Sequence, residues 1–116
     1  MRTLVDILIE KKKEQKKYFQ DYLGWARKIK KEAEKNLAEV KVFLFGSIVK
    51  NKAEPGSDID ILIISPEFNN PEKISKVRTK IIKKLGFFSP FEFHLISPKN
   101  YKEWYSHFIK KDKIEI

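Results

Sequence analysis

The sequence predicts a small α/β (α+β) domain in which a mixed sheet is flanked by helices. Apolar residues recur every three or four positions between residues 22 and 40, which is typical of an amphipathic helix. Further along, short β-prone apolar runs alternate with helical stretches, and each run ends at glycine or at Ser-Pro. The order is therefore helix, helix, strand, turn, strand, helix, strand, helix, which predicts a sheet covered by helices.

The N-terminal region, residues 3 to about 38, is expected to be helical in two pieces. Its apolar face consists of Tyr22, Ala26, Ile29, Ala33, Leu37 and Val40. Gly24 lies within this pattern and is expected to mark a bend, since glycine costs about 1 kcal/mol in a helix interior. The polar run Glu10–Lys17 fits either an exposed helical turn or a contact surface for an acidic partner, and we favour the exposed turn.

Three strands are predicted from apolar runs. Lys41–Phe45 is the first, and Ile59 with residues 61–64 forms the second. Both runs are continuously apolar, which predicts strands buried on both faces. The third candidate covers residues 87–96, where apolar residues alternate with Glu92 and His94.

Two further helices are predicted from cap-and-proline starts. Asn70-Pro71 begins the first of these helices, and Gly86 is expected to end it. Its buried stripe is Ile74, Val77, Ile81 and Leu85. Ser97-Pro98 begins the second, for which the spacing predicts an aromatic face made of Tyr101, Trp104, Tyr105 and Phe108.

The charge balance is basic overall and slightly acidic in the middle. The chain carries 25 Lys and Arg against 16 Asp and Glu, a net charge of +9, whereas residues 41–70 carry 3 basic against 4 acidic residues. A basic surface favours nucleotides, RNA or an acidic protein as partners, although Lys-rich solvated helix faces explain it equally simply.

Two features of the sequence bear on where in the cell the protein is expected. Cysteine is absent, which excludes disulfides and thiolate metal sites and suits a reducing cytoplasm. The apolar run Leu4–Ile9 is short and interrupted by Asp6, so neither a signal peptide nor a membrane span is expected. We therefore expect a cytoplasmic protein with no membrane partner.

The acidic middle of the chain contains the pair Asp58 and Asp60 around a strand start. Residues i and i+2 of a strand point to the same face with Cα atoms about 6.6–7 Å apart, so both carboxylates can converge on cations. Mg²⁺ prefers oxygen ligands, and metal pairs in phosphoryl-transfer sites lie about 3.5–4 Å apart. On these two residues alone, an acidic strand entry without a cation is the better explanation.

Gly46 and Ser47 precede that pair and give it a context. A glycine after a strand lets backbone N–H groups approach a phosphate, and the Ser47 hydroxyl adds a donor. A short helix from Ser47 to about Lys52 would favour an anion at its start, and Lys50 would add positive charge. An ordinary Gly-Ser turn is the alternative, so the prediction depends on the combination with the two aspartates.

Glu92 is the third candidate carboxylate, because it alternates with phenylalanines in the third strand. It can serve as a general base, complete a second metal site or simply face solvent. His94 shares its face and could touch a nucleotide, although a lone histidine is more often structural. His107 receives no role.

The segment Leu44–Ser47 is followed, after a spacer of ten residues, by Asp58-Ile59-Asp60. This combined motif resembles that of the DNA-polymerase-β-like nucleotidyltransferases. More narrowly, it is similar to the minimal nucleotidyltransferases of bacteria and archaea. The resemblance extends over roughly residues 20–110. It implies a single minimal nucleotidyltransferase domain over residues 1–116, with N-terminal helices over 1–38 and a catalytic α/β core over 41–110.

The resemblance implies transfer of AMP from Mg²⁺-ATP to a hydroxyl acceptor. It implies that Gly46 and Ser47 hold the triphosphate and that Asp58, Asp60 and Glu92 bind two Mg²⁺ ions. Lys50 and Ser57 complete the expected nucleotide-binding set. Three departures from the family pattern involve four positions. Ile48 and Lys50 stand where two arginines are common, Asn51 stands where a glycine is common, and the third acid is Glu92 rather than aspartate.

Minimal proteins of this kind often pair with a helical HEPN-type toxin and act as its antitoxin. The expected partners are therefore a nucleoside triphosphate and a HEPN-type protein, with RNA or a second copy of the chain also open. Transfer to RNA or a small molecule is a rival activity. The non-enzyme alternative is a degenerate transferase that neutralises a partner by contact.

Overall fold

The protein forms a four-stranded mixed sheet in the order β3-β2-β1-β4. The strands are β1 (Lys41–Phe45), β2 (Ile59–Ile64), β3 (Phe91–Ile96) and β4 (Lys113–Glu115). The structure is a computed structural model that describes residues 1–54, 56–86 and 88–116, and the Phe108 side chain is also outside the described part. Phe87, at the start of the predicted third strand, therefore lies outside the described residues, as does the side chain of Phe108 at the end of the predicted aromatic face.

The strand directions confirm the predicted mixed sheet. β1 is antiparallel to both β2 and β4, whereas β2 and β3 are parallel. Burial on both faces is confirmed for β1 and β2. β4 was not predicted, because three residues after a turn give too short a pattern to separate a strand from a loop.

The N-terminal region is two helices, α1 (Leu4–Gln20) and α2 (Tyr22–Asn36). The prediction of a bend at Gly24 was wrong, because the chain breaks at Asp21. The Asp21 side chain caps α2 by accepting from the Gly24 N–H at 3.2 Å. A Cβ at residue 24 would collide with that carboxylate, so the glycine makes room for the cap inside the first turn of α2.

The helix α3 (Pro71–Leu85) follows the predicted pattern. Asn70 caps it by accepting from the Glu72 N–H at 3.0 Å, and Gly86 ends it at a φ of 106°. Val77, Ile81 and Leu85 are buried. Within the described residues, no helix combines the length and the apolar content needed to cross a bilayer.

The C-terminal helical segment has three consecutive parts, α4 (Pro98–Asn100), a π-helical turn (Tyr101–Tyr105) and α5 (Ser106–Ile109). Tyr101 and Tyr105 pack toward the sheet, but Trp104 is 67% exposed. The predicted single aromatic face was therefore wrong at Trp104. In the wider π-helical turn, Tyr101 and Tyr105, four residues apart, lie on the same side. Trp104, three residues after Tyr101, is rotated away from that side.

Helices cover both faces of the sheet. One core lies between the sheet and helices α2 and α3, and it includes Ile59, Ile61 and Ile63 of β2. The other core lies between the sheet and the C-terminal helical segment, and it includes Leu62 and Ile64. Because side chains alternate along a strand, Asp60 belongs with Leu62 on the second face, away from α2 and α3.

Candidate active site

Three polar side chains meet on the second face of the sheet. Asp60 of β2 pairs with Glu92 of the parallel strand β3, and His94 follows two residues along β3 on the same face. One ligand atom from each of these residues lies within 4.8 Å of the others. The alternation of residues 92 and 94 with apolar residues therefore produces a cluster of two carboxylates and an imidazole.

Gly46 lies directly against this cluster. β1 ends at Phe45, which pairs with Asp60, and Gly46 follows with a φ of 79°. A Cβ at residue 46 would collide with Oδ2 of Asp60. Two independent constraints, the left-handed backbone and the adjacent carboxylate, therefore require glycine here.

His94 connects Asp60 to the C-terminal helical segment. Its Nε2 lies 3.3 Å from Oδ1 of Asp60 and 3.9 Å from Oε1 of Glu92, while its Nδ1 lies 3.2 Å from the Tyr105 hydroxyl. The ring also packs on Phe45, with centroids 5.0 Å apart. The imidazole is thus contacted at both nitrogens and by the Phe45 ring.

The proton positions follow from the partners. An ionised Asp60 can only accept, so Nε2 of His94 donates to it. In a neutral imidazole Nδ1 then accepts, and the Tyr105 hydroxyl donates to it. Burial raises the pKa of Tyr105, and the negative charge of Glu92 raises that pKa further, so the hydroxyl keeps the proton it donates.

The remaining nucleotide-site candidates lie around Gly46 and in the loop before β2. The expected helix from Ser47 to Lys52 was wrong, because only a 3₁₀ turn over Gly46–Ile48 forms. Val49 is the C-cap of that turn, and Asn51, two residues further on, has a φ of 56°, a left-handed conformation that asparagine tolerates better than most residues. Glycine, which the family pattern often has at this position, adopts the same left-handed conformation without steric cost.

Asp58 and Ser57 differ from Asp60 in their surroundings. β2 begins at Ile59, so Asp58 precedes the strand rather than lying within it, and its side chain is exposed. It is not part of the cluster formed by Asp60, Glu92 and His94. The Ser57 hydroxyl accepts from the Glu54 N–H at 3.2 Å and so stabilises the loop.

The link from His94 to Tyr105 is the part of the site that sequence reasoning missed. Tyr105 was assigned only to an aromatic face, and the two residues lie eleven positions apart in different elements. The one available signal was that His94 and Glu92 share a strand face. The partner on the helix depends on how that helix packs, which the sequence pattern does not give.

The cluster has the donor chemistry of a divalent-cation site. Asp60 and Glu92 supply the carboxylate oxygens that Mg²⁺ prefers. His94 offers an imidazole nitrogen, which suits transition metals better than Mg²⁺. Because its Nε2 already hydrogen-bonds Asp60, its simplest role with Mg²⁺ is to orient that carboxylate.

Comparison with known sequences assigns this arrangement to a family. The sequence model of the nucleotidyltransferase domain matches residues 26–116. The chain belongs to the nucleotidyltransferase domain family. The match contains every member of the cluster as well as Gly46, and helix α1 precedes it.

Solved structures agree with this assignment. The crystal structure of an inferred nucleotidyltransferase is 34% identical, with a TM-score of 0.66, and the alignment covers 78% of this chain and 95% of that chain. A second inferred nucleotidyltransferase, from Sulfolobus solfataricus, is 17% identical with a TM-score of 0.59 over 88% of this chain and 85% of that chain, and it supports the fold alone. No curated protein matches this nucleotidyltransferase.

Proposed function

We propose that the protein is a Mg²⁺-dependent adenylyltransferase of the minimal type, which transfers AMP from ATP to a hydroxyl group on a partner protein. The observation that carries this proposal is the side-by-side placement of Asp60 and Glu92 beside Gly46, in a member of the nucleotidyltransferase family. Two convergent carboxylates next to a glycine turn provide cation ligands and an approach for phosphates in one place.

Each site residue has a proposed role. Asp60, Glu92 and the exposed Asp58 hold the metal, with two ions as the expected number. Gly46 and Ser47 bind the triphosphate at the turn after β1, while Lys50 and Ser57 contact it from the adjoining loop. Bound Mg²⁺ would supply charge neutralisation on the phosphate oxygens and fix the orientation of the reacting groups.

The proposed reaction is a single displacement at phosphorus. The acceptor hydroxyl oxygen forms a bond to the α-phosphorus of ATP, the bond from that phosphorus to the bridging oxygen breaks, and pyrophosphate leaves. Glu92 takes the proton of the hydroxyl, since its side chain is 53% exposed and lies beside Asp60 on the second face of the sheet. His94, held by Tyr105, keeps Asp60 in position.

A protein acceptor is proposed because the sequence resembles minimal nucleotidyltransferases, which often pair with a protein partner. A HEPN-type helical protein, inactivated by the transfer, would make this chain the antitoxin of a pair in the cytoplasm. The resemblance to the minimal nucleotidyltransferases supports this choice of partner.

The reaction is tested with ATP labelled on the α-phosphate and, in parallel, on the γ-phosphate. The protein is incubated with Mg²⁺ and with the proteins that co-purify with it from its native cells. AMP transfer predicts a protein band labelled from the α-position alone, and loss of that band in Asp60→Asn but not in Asp112→Asn, an exposed aspartate outside the cluster. Label from the γ-position, or label that persists in Asp60→Asn, would contradict the proposal.

Ile48 favours a second candidate function. It stands where the family often has arginine, and it packs against the core instead of offering a charge to a phosphate. A degenerate domain that neutralises its partner by contact would tolerate this change. In that case Asp60→Asn would leave neutralisation of the partner intact.

A further inference from the structure

The first two turns of α1 leave apolar side chains in solvent. Leu4 is 71% exposed and Leu8 is 51% exposed, and Val5 and Ile9 lie beside them. In the described part of the chain, most of the exposed large apolar side chains belong to this one segment. Single exposed apolar residues are ordinary, but a contiguous group on a projecting helix marks an interaction surface.

The same helix face continues into a groove. Leu4 and Leu8 are followed at steps of three and four by Lys12, Gln15 and Phe19, so these residues share one side of α1. The groove has a volume of about 590 Å³ and is lined by Lys12, Gln15, Lys16, Phe19, Ala53, Glu54 and Gly56. An apolar stripe and a groove thus form one continuous surface along α1.

One wall of this groove belongs to the chain segment that precedes β2. Ala53, Glu54 and Gly56 line that wall, and the chain continues from Gly56 through Asp58 into β2, which contains Asp60. The family match begins at residue 26, within α2, so α1 precedes the matched segment. A ligand lying along α1 and in the groove would contact the segment of chain that leads to Asp58 and Asp60.

The charges along this surface favour an acidic occupant. Lys12 and Lys16 line the groove against one acid, Glu54. On the rest of α1, Glu14 is paired with Lys17 and Glu10 with Arg2. A second copy would bring two lysine-rich helices together in a chain of net charge +9, which is unfavourable.

We propose that this surface docks an amphipathic helix whose apolar stripe is flanked by acidic residues. Leu4 and Leu8 contact the apolar stripe, and Lys12 and Lys16 pair with the acids. We assign this helix to the acceptor protein, and that assignment rests on the proposed function. The docking site itself does not depend on the proposed function. Helix-in-groove binding of this kind uses anchors spaced three and four residues apart.

The test uses two synthetic helical peptides that share one leucine stripe. Glutamates flank the stripe in the first, and lysines replace them in the second. Fluorescence anisotropy should show that wild-type protein binds the glutamate peptide and prefers it by about tenfold or more. The double variant Leu4→Gln/Leu8→Gln should weaken that binding by about tenfold or more, since two leucine anchors are lost.

Matched controls separate docking from folding. Glutamine keeps a helix propensity close to that of leucine, so α1 should remain helical by circular dichroism. Ile82→Gln, which changes an exposed apolar residue of α3, should bind the peptide like the wild type. Equal binding of both peptides, unchanged binding by the double variant, or a wild-type dimer in sedimentation that the double variant abolishes would each overturn the proposal.

The same variants distinguish this proposal from the proposed function. Leu4→Gln/Leu8→Gln should still bind Mg²⁺-ATP, and Asp60→Asn should still bind the glutamate peptide. If neither the wild type nor any variant binds the glutamate peptide while Mg²⁺-ATP binding is kept, the docking site is wrong and the transferase assignment is unaffected.

Discussion

The Nε2 atom of His94 lies 3.3 Å from Oδ1 of Asp60, the carboxylate that also lies against Gly46. Tyr105 holds the other nitrogen of the same ring at 3.2 Å. One face of the sheet and the C-terminal helical segment are therefore joined through an imidazole at the candidate metal site. This connection makes Asp60 the best-oriented of the candidate carboxylates.

Removing this support should weaken metal binding without destroying the fold. We expect His94→Ala to lower the apparent Mg²⁺ affinity in ATP binding by about 10- to 100-fold, as is usual when the partner of a metal ligand is lost. Tyr105→Phe should have a smaller effect in the same direction, because the His94 ring keeps its packing on Phe45. Mg²⁺ titrations at fixed ATP measure both effects. His107→Ala, an exposed histidine, is the control, and equal behaviour of the two histidine variants would contradict the assigned role.

Gly46 and Gly56 offer a matched pair of substitutions. Both have a left-handed backbone, with φ of 79° and 96°, so alanine should cost each about 1–2 kcal/mol of unfolding free energy. Only at Gly46 would the new Cβ collide with Asp60, whereas the space around Gly56 is open. We expect Gly46→Ala to lose Mg²⁺-ATP binding and Gly56→Ala to keep it. Calorimetry and denaturant unfolding measure the two effects separately, and equal ATP binding by both variants would contradict this geometry.

Tyr18 should make the fold sensitive to high pH. Its side chain is buried, and its hydroxyl donates to the Leu85 carbonyl at the end of α3. Burial raises the pKa of Tyr18, Lys17 lowers it to a lesser degree, and Glu14 raises it slightly. The unfolded tyrosine therefore loses its proton first, so this contribution is complete below the ordinary pKa of about 10 and is lost as pH rises toward the folded pKa.

The measurement is urea unfolding between about pH 8 and pH 11, a range that brackets the ordinary tyrosine pKa. Wild-type stability should fall over the upper part of this range. Tyr18→Phe should start less stable, by about 1 kcal/mol for the lost hydrogen bond, and should fall less steeply. Parallel curves for the two proteins would show that another group causes the alkaline loss.

The cap at Asp21 should stabilise α2. Asp21→Ala removes the acceptor for the Gly24 N–H and should lower the unfolding free energy by about 0.5–2 kcal/mol. Thermal unfolding beside Asp112→Ala measures this difference. If the two variants melt together, the helix start does not depend on the cap.

Local patterns predicted most of the sheet and one helix in full. β1 and β2 are continuous apolar runs, and α3 has its proline start and glycine end within the sequence itself. The nucleotidyltransferase assignment came from the Gly46 and Asp60 region, which is also local. The alternation in β3 placed Glu92 on the polar face correctly.

The remaining features depend on tertiary packing. The strand β4 exists because β1 offers it an edge, and nothing in Lys113–Glu115 alone specifies that pairing. The break at Asp21 instead of Gly24 reflects a side-chain cap that outweighs glycine's low helix propensity. The contact of His94 with Tyr105 needs the docked C-terminal helical segment, so spacing could not predict it.

The central claim is that Asp60 anchors a Mg²⁺-nucleotide site on the second face of the sheet. Calorimetric titration of ATP in the presence and absence of Mg²⁺ tests it most directly, with wild type, Asp60→Asn and Asp112→Asn compared. We expect Mg²⁺-dependent binding in the wild type and in Asp112→Asn, and loss of that binding in Asp60→Asn with the fold intact by circular dichroism. Binding in Asp60→Asn equal to that of the wild type, or no binding at millimolar ATP in any form, would contradict it.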